Sequence, residues 1–345
     1  MDPANRRRLP EEVPLVTIRR KALPALALAA SLAASLVAPA APAEPCVVLR
    51  PFLPDAVLRF HINPGFPADV SGTPEEQVAI VLCAARAWRE QTRADLEIAF
   101  QGTTDVRNLD DSDGVNSFFY TPDDGGDALA VTLMNLRVDE LDSFDIVLFG
   151  SSNGVPVLWR GPGHPRDGEW DLRGIATHEL GHVAGLGHDD DPESVMFPVA
   201  VRQGLFQRRL TENNRRCIDA RYGIRGDSPP ALVVSDISPA EGPAAGGNSL
   251  VIRGGHFILR EDTEVLIDGF SLPERLLLVP NCETLQVLEM PSRAPGIVDI
   301  RVSNGLGTAV HRAAYEYVGD LPAFRRGNVN ADAAIDLTDG IFLLA

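Results

Sequence analysis

The sequence predicts an α+β domain built on a mixed sheet, followed by an all-β sandwich. Up to about residue 223, short apolar runs typical of strands are interspersed with segments of helical periodicity. From residue 231 to 318 the runs are short, β-branched and separated by Gly and Pro, with no helical period. A length of 345 residues also favours two or three domains over one.

Strand and helix signals alternate in the first domain, residues 44–223. Thr73 and Pro74, with Glu76 three residues after Thr73, predict an N-cap, a first helical residue and a capping box. The predicted strands are Val57–Ile62, 96–100, 115–120, 128–134 and 145–149, and further helices are predicted at 171–186 and 211–222.

Residues 224–230 have the composition of a linker. In residues 231–318, the segments 250–252, 264–267 and 298–302 read as strands of a small sandwich.

Charge restricts the partners of this protein. The formal net charge is −17, and residues 1–43 carry six basic and three acidic side chains, which leaves about −20 on the remainder. Phosphate binding needs a basic face, so the acidity argues against nucleic acid as a partner.

The N-terminus predicts a signal peptide at residues 1–43. Arg19, Arg20 and Lys21 precede an apolar run at 22–37, and Ala41-Pro42-Ala43 is a small-x-small cleavage pattern. The apolar run is short for a bilayer span. We therefore expect a secreted, extracellular protein with no stable membrane insertion after cleavage.

Four cysteines follow that leader: Cys46, Cys83, Cys217 and Cys282. In an exported chain they permit disulfides in three connectivities. Cys282 falls in the second predicted domain, so at most one bridge is expected inside the first.

The most informative segment combines His178-Glu179-x-x-His182 with Gly185 and His188. Residues four apart on a helix project from one face, so the first two rings converge on one point. Gly185 tolerates the left-handed backbone that ends the helix and lets His188 complete the set. Three neutral imidazoles predict a catalytic zinc site, because they leave one coordination position open.

Glu179 is the predicted catalytic residue. It lies beside the first ligand, where a carboxylate can take a proton from a metal-activated water and pass it to a leaving amine. The His-Glu-x-x-His pattern alone also occurs on ordinary solvated helices, but the spaced glycine and third histidine make coincidence a poor explanation.

With Asp189 and Met196, this set resembles the metzincin metallopeptidases, in particular their matrixin branch. The resemblance extends over residues 57–223 and implies a zinc endopeptidase with polypeptide substrates. It also implies that Met196 forms a turn beneath the ligands and that residues 128–133 form the edge strand that pairs with substrate.

The acidic loop at Asp123, Asp124 and Asp127 lacks the histidines that hold a second zinc in many matrixins. It is interpreted either as a Ca²⁺ site or as a solvated loop.

Two further resemblances concern the C-terminal part. The segments Ile237-Ser238-Pro239, 251–257 and 296–304 resemble an IPT/TIG immunoglobulin-like domain, which implies a binding or spacer module. Residues 319–345 resemble one repeat of a dockerin, which implies a cohesin-like or surface partner; a disordered acidic tail is the alternative. The candidate Ca²⁺ ligands of that repeat are Asn328, Asn330, Asp332, Asp336 and Asp339.

Two other functions remain open on the sequence. The chain could be a non-catalytic extracellular adhesion or scaffold protein on a metzincin-like fold, or a zinc hydrolase acting on small molecules. Glu179 argues against the first, since a scaffold has no use for a base beside the metal. The predicted edge strand argues against the second.

Overall fold

A computed structural model describes residues 12–14, 47–49, 53–109, 113–137, 140–201, 205–227, 231–258 and 263–319. It divides into two compact units, one comprising Met1–Ala231 with Val279–Cys282, the other Leu232–Leu278 with Glu283–Ala345. Most of the predicted leader lies outside the described residues, as do all five candidate Ca²⁺ ligands of the dockerin-like repeat.

The first unit mixes strands and helices. Its strands are β1 (Glu12–Pro14), β2 (Val57–Ile62), β3 (Glu97–Thr103), β4 (Ser117–Asp124), β5 (Ala130–Arg137), β6 (Glu140–Ser152), β7 (Val155–Pro156), β8 (Leu158–Arg160), β9 (Glu169–Asp171) and β10 (Val199–Val201). Its helices are α1 (Ala68–Ser71), α2 (Pro74–Glu90), α3 (Leu172–Val183) and α4 (Glu212–Tyr222), with short 3-10 turns at Pro54–Ala56 and Phe206–Arg208.

The main sheet has the order β3-β2-β4-β6-β5, with β7 paired to the end of β6. The β3-β2, β2-β4 and β4-β6 pairs are parallel, whereas β5 runs antiparallel to β6. The predicted mixed sheet is therefore confirmed. Within the described residues β5 is an edge strand, as predicted, although it begins at Ala130 and extends to Arg137. Two short ladders lie apart from this sheet, β1 with β10 and β8 with β9.

Helix α2 begins as its sequence predicts. The Thr73 hydroxyl accepts from the backbone N–H of Glu76 at 3.3 Å, and the Glu76 carboxylate accepts from the N–H of Thr73 at 2.9 Å. This capping box stabilises the first turn. The apolar stripe of the helix buries Val81, Ala85 and Trp88 in the core. Because Trp88 is fully buried, its replacement by Ala would cost about 3–5 kcal/mol.

One disulfide of the first unit joins Cys83 of α2 to Cys282. Cys282 lies in the short segment Val279–Cys282, which groups with the first unit, and the domain boundary expected near residue 231 stays a prediction. Cys217 is disulfide-bonded as well. No helix in the described ranges is long and apolar enough to cross a membrane.

Beyond residue 231 the described chain is all-β apart from one 3-10 turn at Glu274–Leu276. The strands are β11 (Val233–Ser238), β12 (Glu241–Pro243), β13 (Leu250–Gly255), β14 (Glu264–Ile267), β15 (Phe270–Ser271), β16 (Leu277–Asn281), β17 (Thr284–Val287), β18 (Gly296–Asn304) and β19 (Gly307–Val318). They form a four-stranded sheet, β11-β13-β17-β16, and a five-stranded sheet, β12-β19-β18-β14-β15. The predicted all-β architecture is confirmed, and β18 pairs antiparallel with β19.

Candidate metal centre

Helix α3 carries the first two predicted ligands. Its N-cap is Asp171, whose carboxylate accepts from the backbone N–H of Gly174 at 3.1 Å. His178 and His182 lie one turn apart, both completely buried, and their Nε2 atoms are 3.0 Å from each other. The four-residue spacing thus does bring two ring nitrogens to one point.

The third histidine reaches the same point because the helix ends early. Helix α3 stops at Val183, three residues before the predicted Leu186, and Gly185 follows with a left-handed φ of 92°. The reversal brings His188 to the other two rings. One ligand atom from each of the three side chains lies within 4.8 Å of the others, a spacing that a single metal ion can bridge.

Backbone carbonyls fix which nitrogen of each helical histidine can bind a metal. Nδ1 of His178 is 2.7 Å from the Val195 carbonyl oxygen, and Nδ1 of His182 is 2.8 Å from that of Leu186. A carbonyl can only accept a hydrogen bond, so each Nδ1 carries the proton and each Nε2 keeps its lone pair. Both rings are therefore in the tautomer that a metal requires.

Burial keeps these rings neutral. It is the main cause that lowers the pKa of His178 well below its usual value and the pKa of His182 to about 3, and burial also lowers the pKa of His188. Two Nε2 lone pairs facing each other at 3.0 Å repel one another. The Nε2 of His188 is also buried without a hydrogen-bond partner in the described part of the chain. A cation between the three rings satisfies all three atoms, so the residues fit a zinc ion.

Glu179 follows the first ligand and is also completely buried. Its Oε2 accepts a hydrogen bond of 2.6 Å from the hydroxyl of Thr132 on β5. Its Oε1 is buried with no hydrogen-bond partner among the residues described. Burial raises the pKa of this carboxyl to about 8. The carboxylate is thus held at one oxygen while the other can exchange a proton.

The predicted methionine turn packs against α3. Met196 is buried, and its carbonyl accepts from the backbone N–H of Asp189 at 2.9 Å. A β carbon on Gly181 of α3 would collide with the Met196 sulfur. The hydroxyl of Ser194 accepts from the N–H of Met196 at 3.1 Å and lies 2.9 Å from the side-chain nitrogen of Asn214 in α4. This turn also supplies the Val195 carbonyl that holds His178.

Two buried contacts that no local sequence pattern predicts hold α3 in place. Arg208 makes a two-pronged ion pair with Asp171, at 2.8 Å and 2.6 Å, and both side chains are buried. The indole N–H of Trp88 donates to the carbonyl of Thr177 at 2.9 Å. An Asp at the start of a predicted helix, such as Asp171, is a sequence signal for an N-cap. No local pattern identifies Arg208 as the partner of Asp171.

The acidic loop makes its own hydrogen bonds. The two carboxylate oxygens of Asp124 accept from the backbone N–H groups of Gly126, at 2.7 Å, and Gly154, at 2.5 Å, and these bonds lower its pKa. Asp123 accepts from the hydroxyl of Thr121 at 2.6 Å. These bonds hold the carboxylate of Asp124 in the loop and use only part of its acceptor capacity, so the choice between a Ca²⁺ site and a solvated loop stays a prediction.

Residues 77–223 match the family model described as Matrixin, and residues 232–317 match the one described as IPT/TIG domain. The first match contains α3 and the methionine turn, and the second contains β11 to β18 together with most of β19. The findings support a matrixin domain of the metallopeptidase class followed by an IPT/TIG domain.

Short segments of this chain are similar in sequence to curated relatives. Matrilysin of Felis catus is 43% identical over 54 residues, which cover 16% of this chain and 21% of that protein. Matrilysin of Homo sapiens is 40% identical over 53 residues, covering 15% and 20%. Stromelysin-2 of Rattus norvegicus is 33% identical over 97 residues, covering 26% and 20%. The chain thus spans about a fifth of the length of each relative.

Proposed function

We propose that this protein is a secreted zinc-dependent metalloendopeptidase that hydrolyses peptide bonds in proteins. The observation that carries the proposal is the convergence of His178, His182 and His188 beside the buried carboxylate of Glu179. The matrixin match over residues 77–223 supports the same class of enzyme.

The reaction divides between the metal and the chain. A zinc ion held by His178, His182 and His188 would supply a Lewis acid and would lower the pKa of a bound water toward roughly 7. Glu179 acts as the general base: it takes a proton from the attacking water at Oε1 and delivers it to the leaving amine. Its burial favours the protonated form between these two transfers, since a neutral carboxyl is the cheaper species in an apolar site.

A polypeptide substrate is favoured by the position of β5. An edge strand presents unpaired backbone N–H and C=O groups, to which an extended peptide can add as a further strand. Thr132 of this strand contacts Glu179, so a peptide paired with β5 would lie close to the proposed base. A small-molecule hydrolase has no use for such an edge.

The remaining expectations are proposals of the same kind. The leader at residues 1–43 would direct export, and the IPT/TIG domain would bind or space a partner. The repeat at 319–345 would bind Ca²⁺ and dock to a cohesin-like or surface partner.

A digestion assay tests the central proposal. The purified full chain with zinc should cleave unfolded casein, and a strong chelator should abolish the cleavage. Glu179→Ala should lower it by about 10²–10⁴-fold while the protein still binds zinc. Glu97→Ala, at an exposed carboxylate on β3, serves as the control and should stay fully active. Activity that survives both chelation and Glu179→Ala would reject the mechanism.

The same assay separates the rival function. A non-catalytic scaffold would bind zinc and fold normally, yet would leave casein intact under every condition. Stoichiometric zinc binding without any casein cleavage would therefore favour the non-catalytic scaffold.

A further inference from the structure

The hydrogen bond between Thr132 and Glu179 stands out among the contacts of the proposed base. Thr132 is the third residue of the edge strand β5, is completely buried and lies opposite Ile146 in the register of the β5-β6 pair. Its hydroxyl lies 2.6 Å from Oε2 of Glu179 and 3.4 Å from the Glu179 carbonyl oxygen. A hydroxyl has one proton to donate, and the shorter distance identifies the carboxylate as its acceptor.

The rest of the carboxylate has no such contact. Oε1 of Glu179 is buried and has no hydrogen-bond partner within the described ranges. The two oxygens are therefore in different situations: one is held by a neutral donor and the other is available. A neutral donor suits a base better than a cation would, because an ion pair with Arg or Lys would suppress its affinity for a proton.

We propose that Thr132 is a positioning residue for Glu179: its hydroxyl holds Oε2 in place and leaves Oε1 as the oxygen that exchanges protons. This inference rests on the proposed function. It also couples substrate docking to the base, since the strand that would pair with the peptide is the strand that holds Glu179. Serine supplies the same hydroxyl at this position, whereas valine has nearly the same shape and no donor.

The first test compares these two substitutions in the full chain loaded with zinc. A hydrogen bond to a charged group contributes enough to predict a loss of about 10- to 100-fold when it is removed. Thr132→Val should lower kcat by that factor with KM within about twofold of the wild type. Thr132→Ser should retain kcat within about threefold. The control is Thr121→Val, which removes a hydroxyl–carboxylate bond of equal length, 2.6 Å, at Asp123 and should change neither constant.

The second test does not use activity. Denaturant unfolding in excess chelator is measured for Thr132→Val, Glu179→Ala and the double variant. If the bond exists, the two changes are coupled, and the fold-change in the unfolding constant of the double variant should differ by more than about fivefold from the product of the two single fold-changes. If Thr132→Val does not fold, Thr132→Ala replaces it in both tests with the same expected results.

Each outcome is decisive. A Thr132→Val enzyme with kcat within twofold of the wild type overturns the positioning role, and so does a Thr132→Ser enzyme as impaired as Thr132→Val. If the wild type is active and the two substitutions have independent effects on unfolding, the contact is overturned and the proposed function stands. If the wild type is inactive but the two substitutions are coupled in unfolding, the contact is supported and the proposed function fails.

Discussion

Met196 occupies the space beside Gly181 into which the β carbon of any larger residue would project. The indole ring of Trp88 lies against the same position, so α3 is confined there by the methionine turn and by α2. Gly181 immediately precedes His182, one of the three clustered histidines. The close approach that this glycine permits therefore fixes the distance between α3 and the turn that holds His178.

Replacing Gly181 should consequently disturb the metal site. Gly181→Ala would overpack this contact at a cost of about 1–3 kcal/mol and displace either the helix or the turn. We expect a lower unfolding free energy in denaturant and weaker zinc binding in competition with a chelator. Gly226→Ala is the matched control, because a β carbon there meets no atom within 4 Å. Equal behaviour of the two variants would contradict the packing role.

The buried pair of Asp171 and Arg208 should be a major determinant of stability. Breaking a buried ion pair leaves an uncompensated charge and costs about 3–5 kcal/mol. Asp171→Ala should reach the upper part of that range, since it also removes the N-cap of α3. The exposed pair of Arg253 and Asp236, 3.6 Å apart, is the comparison, and Arg253→Ala should cost at most about 1 kcal/mol. Denaturant unfolding measures both, and similar losses at the two sites would refute the prediction.

Gly185 should be needed for metal binding more than for folding. Its φ is 92°, and a β carbon would also meet the side chain of Arg221. Gly168 has a φ of 83° with open space around it. Alanine at either position should cost about 1–2 kcal/mol in backbone strain. Only Gly185→Ala should weaken zinc binding, by about tenfold or more, because it alters the reversal that presents His188. Chelator competition would show the difference.

Metal removal should destabilise the protein reversibly. An ion that binds only the folded state adds about 4 kcal/mol when its concentration is a thousand times Kd. Elemental analysis should find one zinc per chain, and chelation should lower the melting temperature until zinc is restored. His182→Ala should lose both the metal and this shift, whereas His311→Ala, outside the cluster, should keep them. A melting temperature that is the same with and without the chelator would argue against a zinc site.

Sequence reasoning succeeded where the determinants are local. Spacing within one helix turn predicted that His178 and His182 would meet, and Gly185 marked the reversal after them. The start of α2 was predicted from Thr73 to Glu76, a capping pattern contained in four residues. Strand β14 coincides with the predicted segment, Glu264–Ile267.

The errors lie at element ends and in distant contacts. The helix predicted for 171–186 begins one residue later and ends at Val183, because Asp171 serves as its N-cap and Ala184 as its C-cap. The strand predicted from residue 115 begins at Ser117, since Val115 donates to the Asp113 side chain in a turn. Thr132 contacts Glu179, 47 positions away, and Arg208 contacts Asp171, 37 positions away. Hydrophobic periodicity predicts only local structure and cannot predict such distant contacts.

The carbonyls of Val195 and Leu186 have one more effect on the histidine cluster. Because they orient the imidazoles of His178 and His182 in the folded chain, the rotational freedom of these side chains is lost during folding and not when the ion arrives. Binding then requires little rearrangement, and metal exchange should proceed without refolding. Two of the three nitrogens are thus held in advance for a divalent transition metal that prefers imidazole, and geometry would set the selectivity among such metals.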